Sequence, residues 1–150
     1  MMAGADKDGD FRFVKWLLPA VVFISNTAAA EVCVTYETMT TLRGKLSRQT
    51  FPEEPNYESV AKGDRPASYF FISPGRPLCI SKGRDDSEPA ERGIKEDIQL
   101  QFEGSKTFNR LRPYLGNTVE CRGTFYHAIS GHHHSTLLLG SAECHPYRRD

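Results

Sequence analysis

Two alternating runs flank a histidine-rich turn near the C-terminus, and they constrain the fold more than any other part of the chain. In the first run Val119, Cys121, Gly123, Phe125 and His127 share one face, and Glu120, Arg122, Thr124 and Tyr126 share the other. That period of two is the mark of a half-buried strand. The returning run extends from Thr136 to Cys144. With Gly131-His132-His133-His134 as the turn, paired residues sum to a constant and Cys121 falls opposite Cys144. The same register sets Phe125 against Gly140 and Gly123 against Ala142, a large–small match that packs well. A slip of one residue would send the two cysteines to opposite faces. The register therefore favours a Cys121–Cys144 bridge. It leaves Cys33–Cys79 to tie the N-terminal segment to the second strand.

Bridges need an oxidising compartment, and the leading residues supply the argument for one. Arg12 and Lys15 precede the apolar run Trp16-Leu17-Leu18-Pro19-Ala20-Val21-Val22-Phe23-Ile24, and Ala28-Ala29-Ala30 precedes Glu31. A basic flank, a short apolar stretch and an A-x-A end read as a secretory signal peptide over 1–30. The apolar stretch is about half the ~20 residues of a membrane span, and Pro19 interrupts it. Asp6, Asp8 and Asp10 offset Lys7, Arg12 and Lys15, so an uncleaved anchor is the alternative. Asp6 to Asp10 lacks the glycine placement and the closing Glu of a calcium loop. The expected location is periplasmic or secreted, with no membrane span after cleavage. All four cysteines lie beyond the cut, and with no C-x-x-C the reading is structural disulfides rather than a redox or zinc motif.

Residues 31–150 are expected to form a single domain of roughly 120 residues. Lys plus Arg and Asp plus Glu each number 19, giving a formal net charge of zero. No basic field is available to hold nucleic acid. Thr41 to Arg48 alternates with Leu42, Gly44 and Leu46 on one face, Gly44 marking a bulge or a close backbone approach. Phe51 to Pro66 reads as a long loop. Ala67 to Ile72 is a β-rich run stopped by Pro74-Gly75 and resumed at Leu78-Cys79-Ile80. Ser81 to Gly93 is polar, with Asp85, Asp86 and Glu88 as a solvated tip. Asp97 to Phe102 alternates with Ile98, Leu100 and Phe102 inward. Ser105 can cap a short helix carrying Phe108, Leu111 and Leu115 on one stripe and ended by Pro113 and Gly116; one stripe suits a plug, not a layer. A helix between the third and fourth of five strands is the order of a small OB-like barrel. An SH3-like barrel or an open sandwich competes and accounts less well for the helix.

Several segments together resemble a known family. They are Thr50-Phe51-Pro52, Pro55-Asn56-Tyr57-Glu58-Ser59-Val60, Gly63-Asp64, Pro77-Leu78-Cys79-Ile80, Arg112-Pro113-Tyr114-Leu115-Gly116, and Gly123-Thr124-Phe125-Tyr126-His127-Ala128 leading to Gly131-His132-His133-His134. The pattern is similar to small exported bacterial domains catalogued as a domain of unknown function with a Gly-His-His-His-Thr-Pro turn. Ser135 and Thr136 stand where that family shows Thr-Pro, which implies a looser loop. The resemblance implies the fold and export of an envelope domain, carries no known activity and leaves function open.

The candidate metal ligands are His127, His132 and His134. Neutral imidazoles gathered on a loop can close on zinc, copper or nickel, with a carboxylate or water as the fourth ligand. No Asp or Glu lies close in sequence to complete the set, and the alternative is a polar turn whose imidazoles cap backbone groups or pack on Tyr126. His145 reads as a lone exposed histidine. Asn56, Tyr57, Glu58 and Tyr126 are the candidate binding residues, because long ordered loops at a barrel mouth often make binding surfaces. Equally, Tyr57 and Phe51 could tuck that loop down as a lid. No G-x-S-x-G, no H-E-x-x-H and no spare cysteine points to an enzyme. The preferred expectation is an exported, disulfide-stabilised binding module of the bacterial envelope, holding a protein or a small ligand. The alternative is a periplasmic metal-binding protein.

Overall fold

The computed structural model describes residues 32–83, 90–104 and 106–148. The signal peptide expected over 1–30, the solvated tip expected at Asp85, Asp86 and Glu88, and the cap expected at Ser105 lie outside them. The strands are β1 (Val32–Thr35), β2 (Met39–Pro52), β3 (Pro66–Pro74), β4 (Leu78–Ser81), β5 (Glu91–Ile94), β6 (Ile98–Leu100), β7 (Thr118–His127) and β8 (Leu137–Pro146). Helix α1 (Lys106–Leu111) follows β6 and runs into a single 3-10 turn, Arg112–Tyr114. The helix stops where Pro113 removes a backbone donor, and Gly116 turns the chain at φ 82°. No helix of the described residues is long and apolar enough to cross a membrane.

The protein is mainly β, in two sheets. β2, β3, β6, β8 and β7 form a five-stranded sheet whose pairings return on themselves, β2 meeting both β3 and β7. All its pairs are antiparallel except β6 with β8. β1, β4 and β5 form a separate three-stranded sheet, with β1 parallel to β4. The continuation expected at Leu78 therefore leaves the larger sheet: the Pro74-Gly75-Arg76-Pro77 break starts a new strand. Cys33 stands opposite Cys79 and is bonded to it, so this bridge staples the small sheet internally rather than reaching a strand of the larger one. The polar 81–93 stretch also holds a strand, β5, paired with β4.

Alternation decides the core. Leu42, Leu46, Phe70, Ile72, Ile98, Leu100, Val119 and Phe125 are all buried in one cluster with Leu111 of α1. Phe108 packs its ring 4.7 Å from that of Phe70, and Phe102, expected inward, is half-buried beyond the end of β6 against the same ring. Gly44 is a close approach. A Cβ there would sit 2.1 Å from the Ser73 carbonyl oxygen and 2.8 Å from Ile72 Cγ1.

The terminal hairpin pairs Cys121 with Cys144, joined by a disulfide within the core. Beyond Arg122–Glu143 the register shifts, so Gly140 faces Thr124 and Leu139 faces Phe125. The Phe125–Gly140 and Gly123–Ala142 pairs are thus corrected by a bulge, which a constant sum cannot contain. Ser141 takes φ 47° as the extra residue, and it lets Leu139, Ala142 and Cys144 all reach the core despite breaking the period of two. Gly123 tolerates the bulge because its missing Cβ would lie 2.5 Å from the Gly140 oxygen.

Gly44→Ala should destabilise the fold by about 1–3 kcal/mol through overpacking against backbone, read as a lower urea midpoint at unchanged slope. Peptide mapping without reductant should return only Cys33–Cys79 and Cys121–Cys144. Removing the second bridge should cost about 3 kcal/mol, the entropy of its closed loop.

Candidate functional site: a buried carboxylate between two loops

The chain between β2 and β3 and the turn between β7 and β8 meet over one carboxylate. Glu53, just past the end of β2, is only 4% exposed. Its carboxylate takes hydrogen bonds from Tyr69 Oη at 2.7 Å, from His134 Nε2 at 3.1 Å and from His132 Nδ1. An ionised carboxylate only accepts, so Nδ1 of His132 and Nε2 of His134 carry the protons. Burial alone would raise the Glu53 carboxyl, but the bonds from Tyr69, His134 and His132 outweigh it and hold the group below the usual carboxylate range. Burial, reinforced by the bond to Glu53, pushes the Tyr69 phenol well above its ordinary value and keeps it a donor.

Aromatic packing fixes the rings. His134 lies flat on Phe51, centroids 3.9 Å apart, and 5.0 Å from the Tyr69 ring. Below them Phe71, Gln99 and Leu138 are buried, although each alternates with core residues and so faces away from the core. Phe51 packs against Phe71, ring centroids 5.8 Å apart, and the histidine turn lies against Gln99. Gln99 Nε2 donates to the His132 carbonyl at 2.9 Å, and its Oε1 accepts from the His134 amide at 2.6 Å. Ser135 Oγ accepts from the Gln99 amide and donates to the Leu137 carbonyl. The residue before Thr136, the position where proline was expected, is thus the anchor, through its serine hydroxyl.

The 53–65 loop is organised by Asp64, which is 3% exposed. Its carboxylate accepts from the amides of Asn56, Glu58 and Ser59 at 2.7–3.0 Å. These bonds, the one from Ser59 foremost, hold Asp64 below the usual carboxylate range. Between the bonded amides sits Tyr57, with φ 59° and 41% of its surface exposed. Its ring meets Gly131 and packs edge-on to His132, 5.8 Å between centroids. The Glu54–Pro55 bond is cis.

Of the candidate residues, His132, His134 and Tyr57 come together. Asn56 and Glu58 contribute backbone amides, while the Glu58 side chain turns out to Lys62. Tyr126 packs edge-on to His133, whose Nδ1 accepts from the Ile129 amide. Burial first, then the neighbouring His132 and His134, holds His133 below the usual imidazole range, matching its role as acceptor. His127 does not join His132 and His134, which corrects the three-histidine set. Its Nε2 lies 2.6 Å from Tyr36 Oη and 3.3 Å from Glu91, because it sits on the strand while the other two ride the folded-back turn. Among the described residues, no group of three or more His, Cys, Asp or Glu is arranged to hold a metal ion. The residues that sequence reasoning missed are Glu53, Asp64, Tyr69 and Gln99. The carboxylate the histidines lacked locally arrives from 79 positions away.

Glu53→Ala should cost roughly 1–3 kcal/mol, since it leaves buried donors unpaired. It should also speed hydrogen exchange at the amide of His134. The pH dependence has a defined sign. A carboxyl depressed in the folded state contributes fully above its unfolded pKa and loses the contribution as pH falls through the lower folded value. The urea-midpoint gap between the parent and Glu53→Gln should therefore be full near neutrality and shrink through the acid range.

A family model described as a domain of unknown function (DUF4431) matches residues 97–140, which take in β6, α1, β7, the histidine turn and the first residues of β8. No curated protein and no solved structure matches the chain. The match supports a domain-of-unknown-function family over that stretch, and Glu53, Tyr57 and Tyr69 fall outside it.

Proposed function

We propose that this protein is an exported binding module of the bacterial envelope, built on an OB-like barrel and stabilised by two disulfides. Its ligand surface is formed by the loops 53–65 and 128–136, and its ligand is a protein. Counted within the larger sheet alone, the strand order is first, second, third, fifth, fourth, with the third and fifth parallel. That order and the helix between third and fourth support the OB-like reading. In such barrels the first-to-second and fourth-to-fifth loops are where ligands bind, and those are the two loops joined at Glu53. The zero net charge argues against the nucleic-acid version of that fold. The leader and the absence of any free cysteine support export.

The observation that carries the binding reading is Tyr57. A bulky residue in the left-handed region costs about 1–2 kcal/mol, and here three amide bonds to Asp64 hold the loop in that state. The outcome is a half-exposed ring beside His132, whose side chain is 49% exposed. A neutral His132 with its proton on Nδ1 keeps the Nε2 lone pair for a donor outside. Val60 at 46% and Ile129 at 81% exposure lie on the same two loops. Rigid aromatic and apolar anchors with a few polar groups are the anatomy of a protein-binding hot spot.

Immobilised protein should capture a discrete partner from periplasmic extract. A double variant, Tyr57→Ser with Ile129→Ser, should lose that capture while keeping the parent's melting temperature. Equal capture by parent and variant, or no specific capture by either, would overturn the reading.

A further inference from the structure

A second opening lies away from the two loops, where the small sheet meets the larger one. It measures about 610 Å³ and is bounded by β1, β2, the turn from Pro74 to Leu78, and Phe125 of β7. Val34, Leu42, Leu78 and Phe125 supply apolar surface, and Arg43 and Arg76 also line it. Among the described residues no carboxylate lines it. Nothing in the 53–65 or 128–136 loops contributes to it.

The two cations differ. Arg43 is partly committed: Nε binds Glu120 at 2.5 Å, Nη1 lies 3.4 Å from Tyr147 Oη, and the guanidinium stacks 4.5 Å over the Tyr147 ring. Those contacts commit its head to Glu120 and Tyr147, neither of which lines the opening. Arg76 rides an exposed turn between Pro74-Gly75 and Pro77, and it has no hydrogen-bond or ion-pair partner among the described residues. Proline on both sides limits the backbone there. Ligand sites combine this order of volume, an apolar wall and a few placed polar groups, and barrel mouths are a common place for them. A guanidinium is the side chain best suited to grip a carboxylate.

We propose that this opening binds a small amphipathic monocarboxylate. Its apolar body would lie against Leu42, Leu78 and Phe125, and its carboxylate would be held by the guanidinium of Arg76. Charge selects the anion, and the apolar wall selects against ions without a body.

Calorimetric titration of the oxidised protein with octanoate, phenylacetate, octanamide and acetate tests this. At least one of the two larger acids should bind saturably, with octanamide and acetate about tenfold weaker or more, the equivalent of one lost charge-assisted bond. Whichever acid binds more tightly identifies the body as alkyl or aromatic. Arg76→Ala should weaken that acid about tenfold at unchanged melting temperature, and amide shifts on binding should centre on Gly75 and Leu78. Failure of both acids to bind saturably would overturn the proposal. So would octanamide or acetate matching the tighter acid, or an Arg76→Ala variant binding as well as the parent.

Discussion

A carboxylate removed from water must find donors, and the three that Glu53 finds come from two other elements of the fold. Tyr69 brings β3, while His132 and His134 bring the turn between β7 and β8. Glu53 itself ends β2 and bonds back to the loop, its amide donating to the Arg65 carbonyl and its carbonyl accepting from Tyr57. One desolvated charge thus ties two loops together. Without that coupling the 53–65 loop would have only its own local bonds, and the histidine turn only its docking on Gln99.

The burial of Gln99 extends the same logic. A glutamine with no exposed surface on the outer face of a three-residue strand would be costly if its amide were unpaired. Instead it reads both ends of the histidine turn, one donor and one acceptor. The turn is therefore docked by side chains on strands instead of by its own turn chemistry, and it does not need a proline to be fixed. The imidazoles act first as structural donors, and what remains for a ligand is their outer edge.

What the sequence made legible is what depends on neighbours along the chain. Leu42, Gly44 and Leu46 announced a strand and a close approach, and Cys121 with Cys144 announced a paired hairpin near its bridged end. The bulge at Ser141 was hidden because period and sum assume one residue against one, and the non-glycine residue at positive φ leaves no compositional mark. β1 and β5 were hidden because each is four residues long and stable only as an edge of β4. The candidate site was half visible. Tyr57 and the histidines stand out by type, whereas Glu53 is one of two adjacent glutamates, and only the tertiary fold says which of them is buried.

The closed pairing of the larger sheet also sets the order of events as the chain forms. Leu42 must find Cys121, and β6 must lie parallel to β8 across the helix and an intervening strand. Such distant pairings are slow, typically milliseconds to seconds, and until they form β2 and β3 offer open edges to other chains. The β7–β8 hairpin is the most local part of the ring and carries its own cysteine pair, so it can be locked early. Cys33 and Cys79 become neighbours only when β1 reaches β4. An oxidant that acts before that encounter would have four thiols to join and only the hairpin to guide it, so correct maturation favours a compartment where bridges can be broken and remade.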